Sequence, residues 1–435
     1  MSDTGKSSFF RQSGWMVVST FLGGIFMVGV QIAAQDNRVM ETSDSTIFVA
    51  LLGLLIIFGG VPSSALQTIF AQQAAAAVTD QKERELTAAL RALLRATFIL
   101  WFVLAGLMIF FAGPVSSVLD VKNPEALRVA MLAVLAVVWL PTFKGVLQGQ
   151  HRFAPLGWLQ IMEGALRLGI FFLLVLRFKC GAAGGLWAVF AGSYLTLAFA
   201  MWLTRDVWLA KISAPFSWKN WLIQGAPLSL AIGAFICMSS LDHVFTKSLI
   251  LDPVPVKLYN NAMLVGFAIV QFIAPITSVM FPTIVRSLAL SKKSDALLLT
   301  LAVTGIFGCL AAVGCALFPK LPLAVLHFKM EAAPLVPWFA WAVLPLTLAN
   351  VLIQSLMARR RYVAAQWLIL VPVCYGLTLM ALAPALVRMR DVFSAFRAII
   401  QTLGCFSLLL FAVAAWFSWG KQPTGVSDPD SAGER

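Results

Sequence analysis

Twelve apolar stretches, each long enough to cross a bilayer, follow one another along the 435 residues with only short connections between them. A helix rises about 1.5 Å per residue, so about 20 apolar residues span the hydrocarbon core. The stretches fall at 13–35, 46–72, 92–112, 126–148, 157–178, 182–204, 220–242, 258–282, 296–318, 333–356, 364–387 and 393–419. Lipid offers backbone N–H and C=O groups no partners, so each stretch must satisfy its own and is a helix. The expected fold is an all-α polytopic membrane protein with 12 transmembrane helices. A chain that is 60% apolar and only 12% charged cannot be a soluble globule.

No hydrophilic stretch between the helices approaches the roughly 50 residues that a folded domain needs. Any chemistry must therefore lie in the membrane or in short loops. Residues 1–12 read as a cytoplasmic N-terminal segment and 420–435 as a disordered cytoplasmic tail, being polar and rich in Pro, Gly and Ser. Basic loops stay cytoplasmic. Nineteen Lys and Arg residues, among them Lys6, Arg11, Lys144, Arg152 and the run Arg359 to Arg361, fall on the side of the N-terminus. Twelve fall opposite, and Arg167 inside a segment completes the 32. This bias predicts that both termini are cytoplasmic. The net charge of +13 follows in large part from loop bases facing anionic lipid headgroups and requires no nucleic-acid partner.

Two halves are legible. Segments two and eight each carry a deep proline, Pro62 and Pro275, about 50 residues after the preceding helix starts near Gly14 and Gly225. Segments four and ten carry Pro141 and Pro345, leading to Gln148 and Arg152-Phe153 in one case and to Gln354 and Arg359 to Tyr362 in the other. Residues 13–204 are therefore expected to form one six-helix bundle and 220–419 a second. A cytoplasmic linker, 205–219, joins them, and a pseudo-twofold axis along the membrane normal relates them. The four prolines are hinge candidates, because proline frees a carbonyl and bends a helix.

Polar residues at membrane depth are few, which makes each informative. Glu163 and Arg167 stand i, i+4 on one helix face and can pair. Either the pair fixes helix packing, or Arg167 faces a water-filled cavity and meets an anionic substrate while Glu163 holds it. Gln31, Gln67, Gln148, Gln160, Gln224, Gln271, Asn350 and Gln354 either bond helix to helix or line a common hydrated space. Asp242-His243, at the end of segment seven, is either an interfacial pair capped by water or an ion-coupling site; Glu163 is the other candidate coupling acid. His151 and His327 lie in loops and give no metal spacing. Cys180, Cys237, Cys309, Cys315, Cys374 and Cys405 show no C-x-x-C and read as small packing residues. The string Thr4-Gly5-Lys6-Ser7 lacks the upstream glycine and the strand of a P-loop, and H-E-x-x-H and G-x-S-x-G are missing. The sequence therefore predicts neither an enzyme nor a cofactor or metal.

Residues 145–167, GVLQGQHRFAPLGWLQIMEGALR, resemble the polysaccharide (O-antigen type) flippases of the multidrug/oligosaccharidyl-lipid/polysaccharide (MOP) exporter superfamily. Further likeness lies in Gly181-Ala182-Ala183-Gly184-Gly185-Leu186 and in the Pro62–Gln73 stretch. The resemblance implies two bundles arranged as a V in a bacterial inner membrane. It implies a lipid-linked oligosaccharide on a polyprenyl pyrophosphate as substrate, with membrane lipids and other polysaccharide-assembly membrane proteins as partners. It leaves anion binding to Arg167 and to the helix-end residues Arg91, Arg95, Arg152 and Arg286. Arginine suits pyrophosphate because its planar donors bind oxygens bidentately. A Na⁺- or H⁺-coupled drug or metabolite exporter is the competing reading, and a membrane subunit of a polysaccharide synthesis or export complex is a third. The Ala76–Leu90 loop lacks the Gly…Asp-Arg…Gly-Arg-Arg pattern of major-facilitator transporters, and the sizeable outer loop of a membrane glycosyltransferase is missing.

Overall fold

A computed structural model describes residues 3–35, 38–118, 124–211, 214–249, 253–290, 295–326, 328–389 and 391–420. Twelve long helices make up these residues: α1 (Asp3–Gln35), α2 (Thr42–Ala76), α3 (Asp80–Val118), α4 (Pro124–Gly149), α5 (Phe153–Phe172) and α6 (Gly181–Leu203) in the first half, then α7 (Trp218–Leu249), α8 (Pro253–Ala289), α9 (Ala296–Leu317), α10 (Val336–Ala358), α11 (Val363–Val387) and α12 (Val392–Trp419). Eleven are long and apolar enough to cross a membrane. The other, α2, carries Asp44 as its only charge in 35 residues. His327 and the tail beyond Gly420 lie outside the described residues.

Several helices overrun the apolar stretch that predicted them. Helix α1 begins at Asp3 and α3 at Asp80, so most of residues 1–12 is helical and the expected Ala76–Leu90 loop shrinks to residues 77–79. Hydropathy marks where lipid ends, whereas a helix continues while its residues favour it. The stretch Asp80–Arg91 is built of good helix formers and buries Leu86, Thr87 and Leu90. The 205–219 linker is likewise tied down: it contains a short helix, Arg205–Trp208, and the Thr87 hydroxyl donates to the Val207 carbonyl at 3.0 Å.

Helix pairing establishes the duplication. In the first half α2 packs on α4, α1 on α5, α4 on α6, α5 on α6 and α3 on α4. In the second half α8 packs on α10, α7 on α11, α10 on α12, α11 on α12 and α9 on α10. Adding six to each helix number turns the first list into the second. Between halves α1 meets α8 and α2 meets α7, the exchange a twofold axis demands, and α2 meets its own counterpart α8. Six is even, so equivalent helices run the same way and the axis lies along the membrane normal.

Connecting turns repeat as well. His151 (φ 59°) and Arg360 (φ 56°) are left-handed residues two positions beyond the ends of α4 and α10. The next N–H, of Arg152 or Arg361, returns to the carbonyl of Leu147 or Leu356, at 2.9 and 3.0 Å. Both arginine side chains then hold the end of the sixth helix of their bundle: Arg152 Nη1 donates to the Leu203 carbonyl at 2.6 Å, and Arg361 Nη1 donates to the Phe417 carbonyl. This register refines the proline match. Pro62 and Pro275 each lie fourteen residues before their helix ends, but Pro141 lies eight and Pro345 thirteen before theirs. The second proline pair is therefore not at equal depth.

The bundles achieve packing differently. Glycines let helices of the first bundle approach closely, as in many membrane bundles. A Cβ on Gly145 would fall on the Gln67 carbonyl, one on Gly149 on the Ala71 carbonyl, and one on Gly164 on the Gly23 carbonyl. The second bundle instead fills its core with rings, Tyr259 lying 5.0 Å from Phe339 and 5.1 Å from Phe396. Of the cysteines, Cys315 packs against the core as expected, whereas Cys180, Cys237, Cys309 and Cys405 are exposed; all six are free thiols.

One continuous core joins the bundles at the side of the N-terminus, where Phe70, Phe143 and Val146 share it with Val279, Phe281 and Leu352. Toward the opposite side the first bundle closes on a core of its own, including Val30, Phe48, Leu51, Phe171 and Val175. The bundles thus lean together at one side and separate toward the other.

Candidate functional site

Glu163 on α5 accepts two cationic donors. Lys144 Nζ from α4 lies 2.6 Å from Oε2, and Arg167 Nη2, one turn along α5, lies 2.5 Å from Oε1. Arg167 Nη2 also donates to Ser193 Oγ on α6 at 2.9 Å, and its Nη1 reaches Met27 Sδ at 3.4 Å. Each contact has a local cause. The i, i+4 spacing puts Glu163 and Arg167 on one face. Gly192 leaves the room Arg167 occupies, since a Cβ there would press on the arginine Cγ. The tight turn at His151 leads α4 directly into α5, and the long Lys144 side chain reaches from α4 to Glu163 on α5.

The trio is deeply buried, with 10% of the Glu163 side chain exposed, 13% of Lys144 and 15% of Arg167. It lines an open pocket of about 260 Å³ bordered by α2, α4, α5 and α6, with Ser63, Ser64, Gln67 and Pro141 on other walls. Its charged lining residues are these three, giving a net charge of +1. Arg167 Nε has no hydrogen-bond partner among the described residues. Such a cavity is suited to an anion. Arg167 therefore faces the interior of the first bundle rather than the cleft between bundles.

Sequence reasoning missed Lys144 and Ser193. By charge alone Lys144 falls among the bases on the N-terminal side, yet it sits within α4 between the fully buried Phe143 and the buried Gly145. Removing it leaves eighteen basic residues against twelve in the orientation argument. The available signal was its position inside the 126–148 apolar stretch. Ser193 carried no signal beyond lying in an apolar helix.

The remaining candidates do not converge on this trio. Arg91 donates from Nε to the Trp208 carbonyl at 2.8 Å and from Nη2 to the Ala210 carbonyl, so it holds the linker rather than an anion. Arg152 is committed to the Leu203 carbonyl. Arg95 is exposed on α3, and Arg286 is exposed at the end of α8. Arg91 and Arg152 are drawn to carbonyls at or just beyond the ends of neighbouring helices, which lack partners within their own helix. Among the described residues Gln31, Gln224 and Gln271 are exposed on three different helices, Asn350 and Gln354 are half-buried on α10, and none of the five makes a side-chain hydrogen bond.

Gln148 is different. Its Oε1 accepts from Gln67 Nε2 at 3.1 Å, and its own Nε2 donates to the Ser278 carbonyl of α8 at 2.8 Å. Gln72 Nε2 donates to the Met357 carbonyl of α10 at 2.9 Å. The bonds to Ser278 and Met357 join the two bundles on the side where they touch, while Gln148–Gln67 ties α4 to α2 within the first. Beside them lies a cavity of about 660 Å³ bordered by Asp80, Glu83, Arg84, Asp206 and Arg286. Burial, with the Arg286 charge nearby, lowers the His151 pKa to about 4, so this imidazole is neutral at pH 7.

Asp242 lies within α7, not at its end, and is fully buried rather than interfacial. Tyr259 donates to its Oδ2 at 2.7 Å, while Oδ1 has no partner among the described residues. The Tyr375 hydroxyl is also buried, with no hydrogen-bond partner among the described residues. His243 Nδ1 pairs separately with Asn260 Oδ1 at 2.8 Å. Among the described residues no group of three His, Cys, Asp or Glu is placed to hold a metal.

No family model matches the sequence, and no curated protein matches it. Solved structures do. A MOP superfamily transporter from Pyrococcus furiosus superposes with a TM-score of 0.76 at 12% identity, covering 95% of each chain. A multidrug resistance MATE family transporter of the same superfamily, in an outward-facing conformation, gives 0.69 at 13% identity over 95% of this chain and 94% of that one. A eukaryotic MATE transporter gives 0.71 at 15% identity over 94% and 96%. The chain has the MOP transporter fold, a multi-pass membrane protein of two six-helix bundles.

Proposed function

We propose that this chain is an alternating-access transporter that carries a lipid-linked oligosaccharide, a glycan on a polyprenyl pyrophosphate, from the cytoplasmic to the outer leaflet of a bacterial inner membrane for surface polysaccharide synthesis. Both termini are cytoplasmic in this reading. The observation that carries it is the net positive charge of the cavity lined by Lys144, Glu163 and Arg167. An uncompensated cation buried at membrane depth is costly, and its retention is understandable where an anionic headgroup uses it. Rocking of one bundle against the other breaks the Gln148–Ser278 and Gln72–Met357 bonds and opens the N-terminal side. Pro62 and Pro275, at equal depth in two helices that meet on the pseudo-twofold axis, are the hinges. Other polysaccharide-assembly membrane proteins receive the product.

The test is complementation of a strain lacking the gene. Arg167→Ala at an unchanged membrane level is expected to abolish surface polysaccharide and leave lipid-linked glycan on the inner leaflet. Normal surface polysaccharide in that strain would remove the reading.

A second reading, a cation-coupled exporter of drugs or metabolites, is favoured by Asp242, a carboxylate fully buried at membrane depth with Tyr259 donating to its Oδ2. It predicts that Asp242→Asn abolishes Na⁺- or H⁺-driven efflux from proteoliposomes. Each Glu163 oxygen is already engaged by a cationic donor, so Asp242 is the better coupling acid of the two.

A further inference from the structure

Lys144 and Arg167 bring two positive charges to a cavity whose single carboxylate neutralises one. Both Glu163 oxygens are taken, at 2.6 and 2.5 Å, so a cation entering here would meet two cations and a carboxylate already engaged. Donors remain on the positive side. Lys144 Nζ carries three protons and makes one bond. The neighbouring polar groups are occupied elsewhere: Ser63 Oγ donates to the Val137 carbonyl at 2.9 Å, and Gln67 Nε2 to Gln148. About 260 Å³ is room for a small ion with its waters.

We infer that this cavity is a binding site for a small inorganic anion, of the chloride or phosphate kind, held by Lys144 and Arg167 until the anionic headgroup of the cargo displaces it. The inference rests on the reading of the trio as an anion site and adds an exchange step: one small anion leaves as the headgroup enters. A monovalent anion offsets the single excess positive charge of the empty cavity, whose burial unpaired is costly in low dielectric.

The full-length protein, purified in detergent, is heated in sodium chloride, sodium phosphate or sodium gluconate at equal ionic strength. Chloride or phosphate is expected to raise Tm saturably over gluconate, by about 3 °C at a hundredfold excess over its dissociation constant. Lys144→Met, which leaves the neutral Glu163–Arg167 pair, should lose that rise. Glu163→Gln, which raises the cavity to +2, should show it at lower anion concentration, so a misfolded Lys144→Met does not end the test. An equal anion response in wild type and both variants would overturn the inference. So would a response to phosphatidylglycerol in mixed micelles with none to chloride or phosphate, which would assign the charge to a lipid headgroup. If the anion response depends on Lys144 but Lys144→Met still supports surface polysaccharide, the anion site stands and the cargo reading falls. Loss of polysaccharide without any anion response in wild type would do the reverse.

Discussion

Replacing Glu163 by Gln should destabilise the protein far more than replacing Lys144 by Met, although each substitution removes a charge from the same trio. Glu163 is the carboxylate shared by two cations that are 13% and 15% exposed. Taking one partner from a buried ion pair costs about 3–5 kcal/mol, because the remaining charge stays buried without compensation. Glu163→Gln leaves two such cations, with Arg167 still steadied by Ser193. We therefore expect about 4 kcal/mol. Lys144→Met removes a hydrogen bond to a charged group, worth about 1.5–3 kcal/mol, but also removes the uncompensated charge. The net loss should be about 1 kcal/mol. For 435 residues at about 2.1 cal/mol/K each, the unfolding entropy is about 0.9 kcal/mol per kelvin. The expected falls in Tm are then about 4 °C and about 1 °C. Tryptophan fluorescence during heating of the detergent-solubilised protein in gluconate measures both. Equal falls, or a larger one for Lys144→Met, would refute the view that the cavity carries a net positive charge.

Three further outcomes are expected. Gly149→Ala places a methyl against the Ala71 carbonyl and the Ala74 Cβ, and should cost about 1–3 kcal/mol by forcing α2 from α4; Gly14→Ala, with nothing within 4 Å, should cost nothing in the same melting assay. Gln148→Ala removes a bond between bundles worth about 0.5–1.5 kcal/mol, shifting the equilibrium about 2- to 10-fold toward opening at the N-terminal side; spin labels at Val78 and Leu290, on a cysteine-free background, should report a longer distance between them. His151 has a folded pKa of about 4 against 6.5 unfolded, so below pH 6.5 the unfolded chain takes up a proton that the folded one refuses. Its contribution should thus be complete above pH 6.5 and fade toward pH 4, and His151→Gln should flatten the Tm profile in that window.

The site was only half legible in the sequence. Glu163 and Arg167 stood out because a charge in an apolar helix is conspicuous and i, i+4 spacing is local. Lys144 was in plain view inside the fourth stretch, but it lay near enough to the helix end to pass for a loop base. Arg91 and Arg152 looked like anion ligands for a related reason: sequence gives the donor and not the acceptor, and here the acceptors are backbone carbonyls of Trp208 and Leu203. The apolar stretch ends at Asp242-His243, which leaves an interfacial pair and an ion-coupling site both open in the sequence; α7 continues to Leu249 and buries Asp242 against Tyr259.

What the chain decided alone was the number of crossings, the helical state of each and the existence of two halves. All three follow from local facts, since hydrocarbon forbids unsatisfied backbone and length in residues converts directly to thickness. Which helices touch, the true register of the repeat and the sharing of Glu163 between α4 and α5 came only with the tertiary structure. Those depend on close approach at Gly145, Gly149 and Gly192, and on the left-handed turn at His151, where distances between residues far apart in sequence set the outcome.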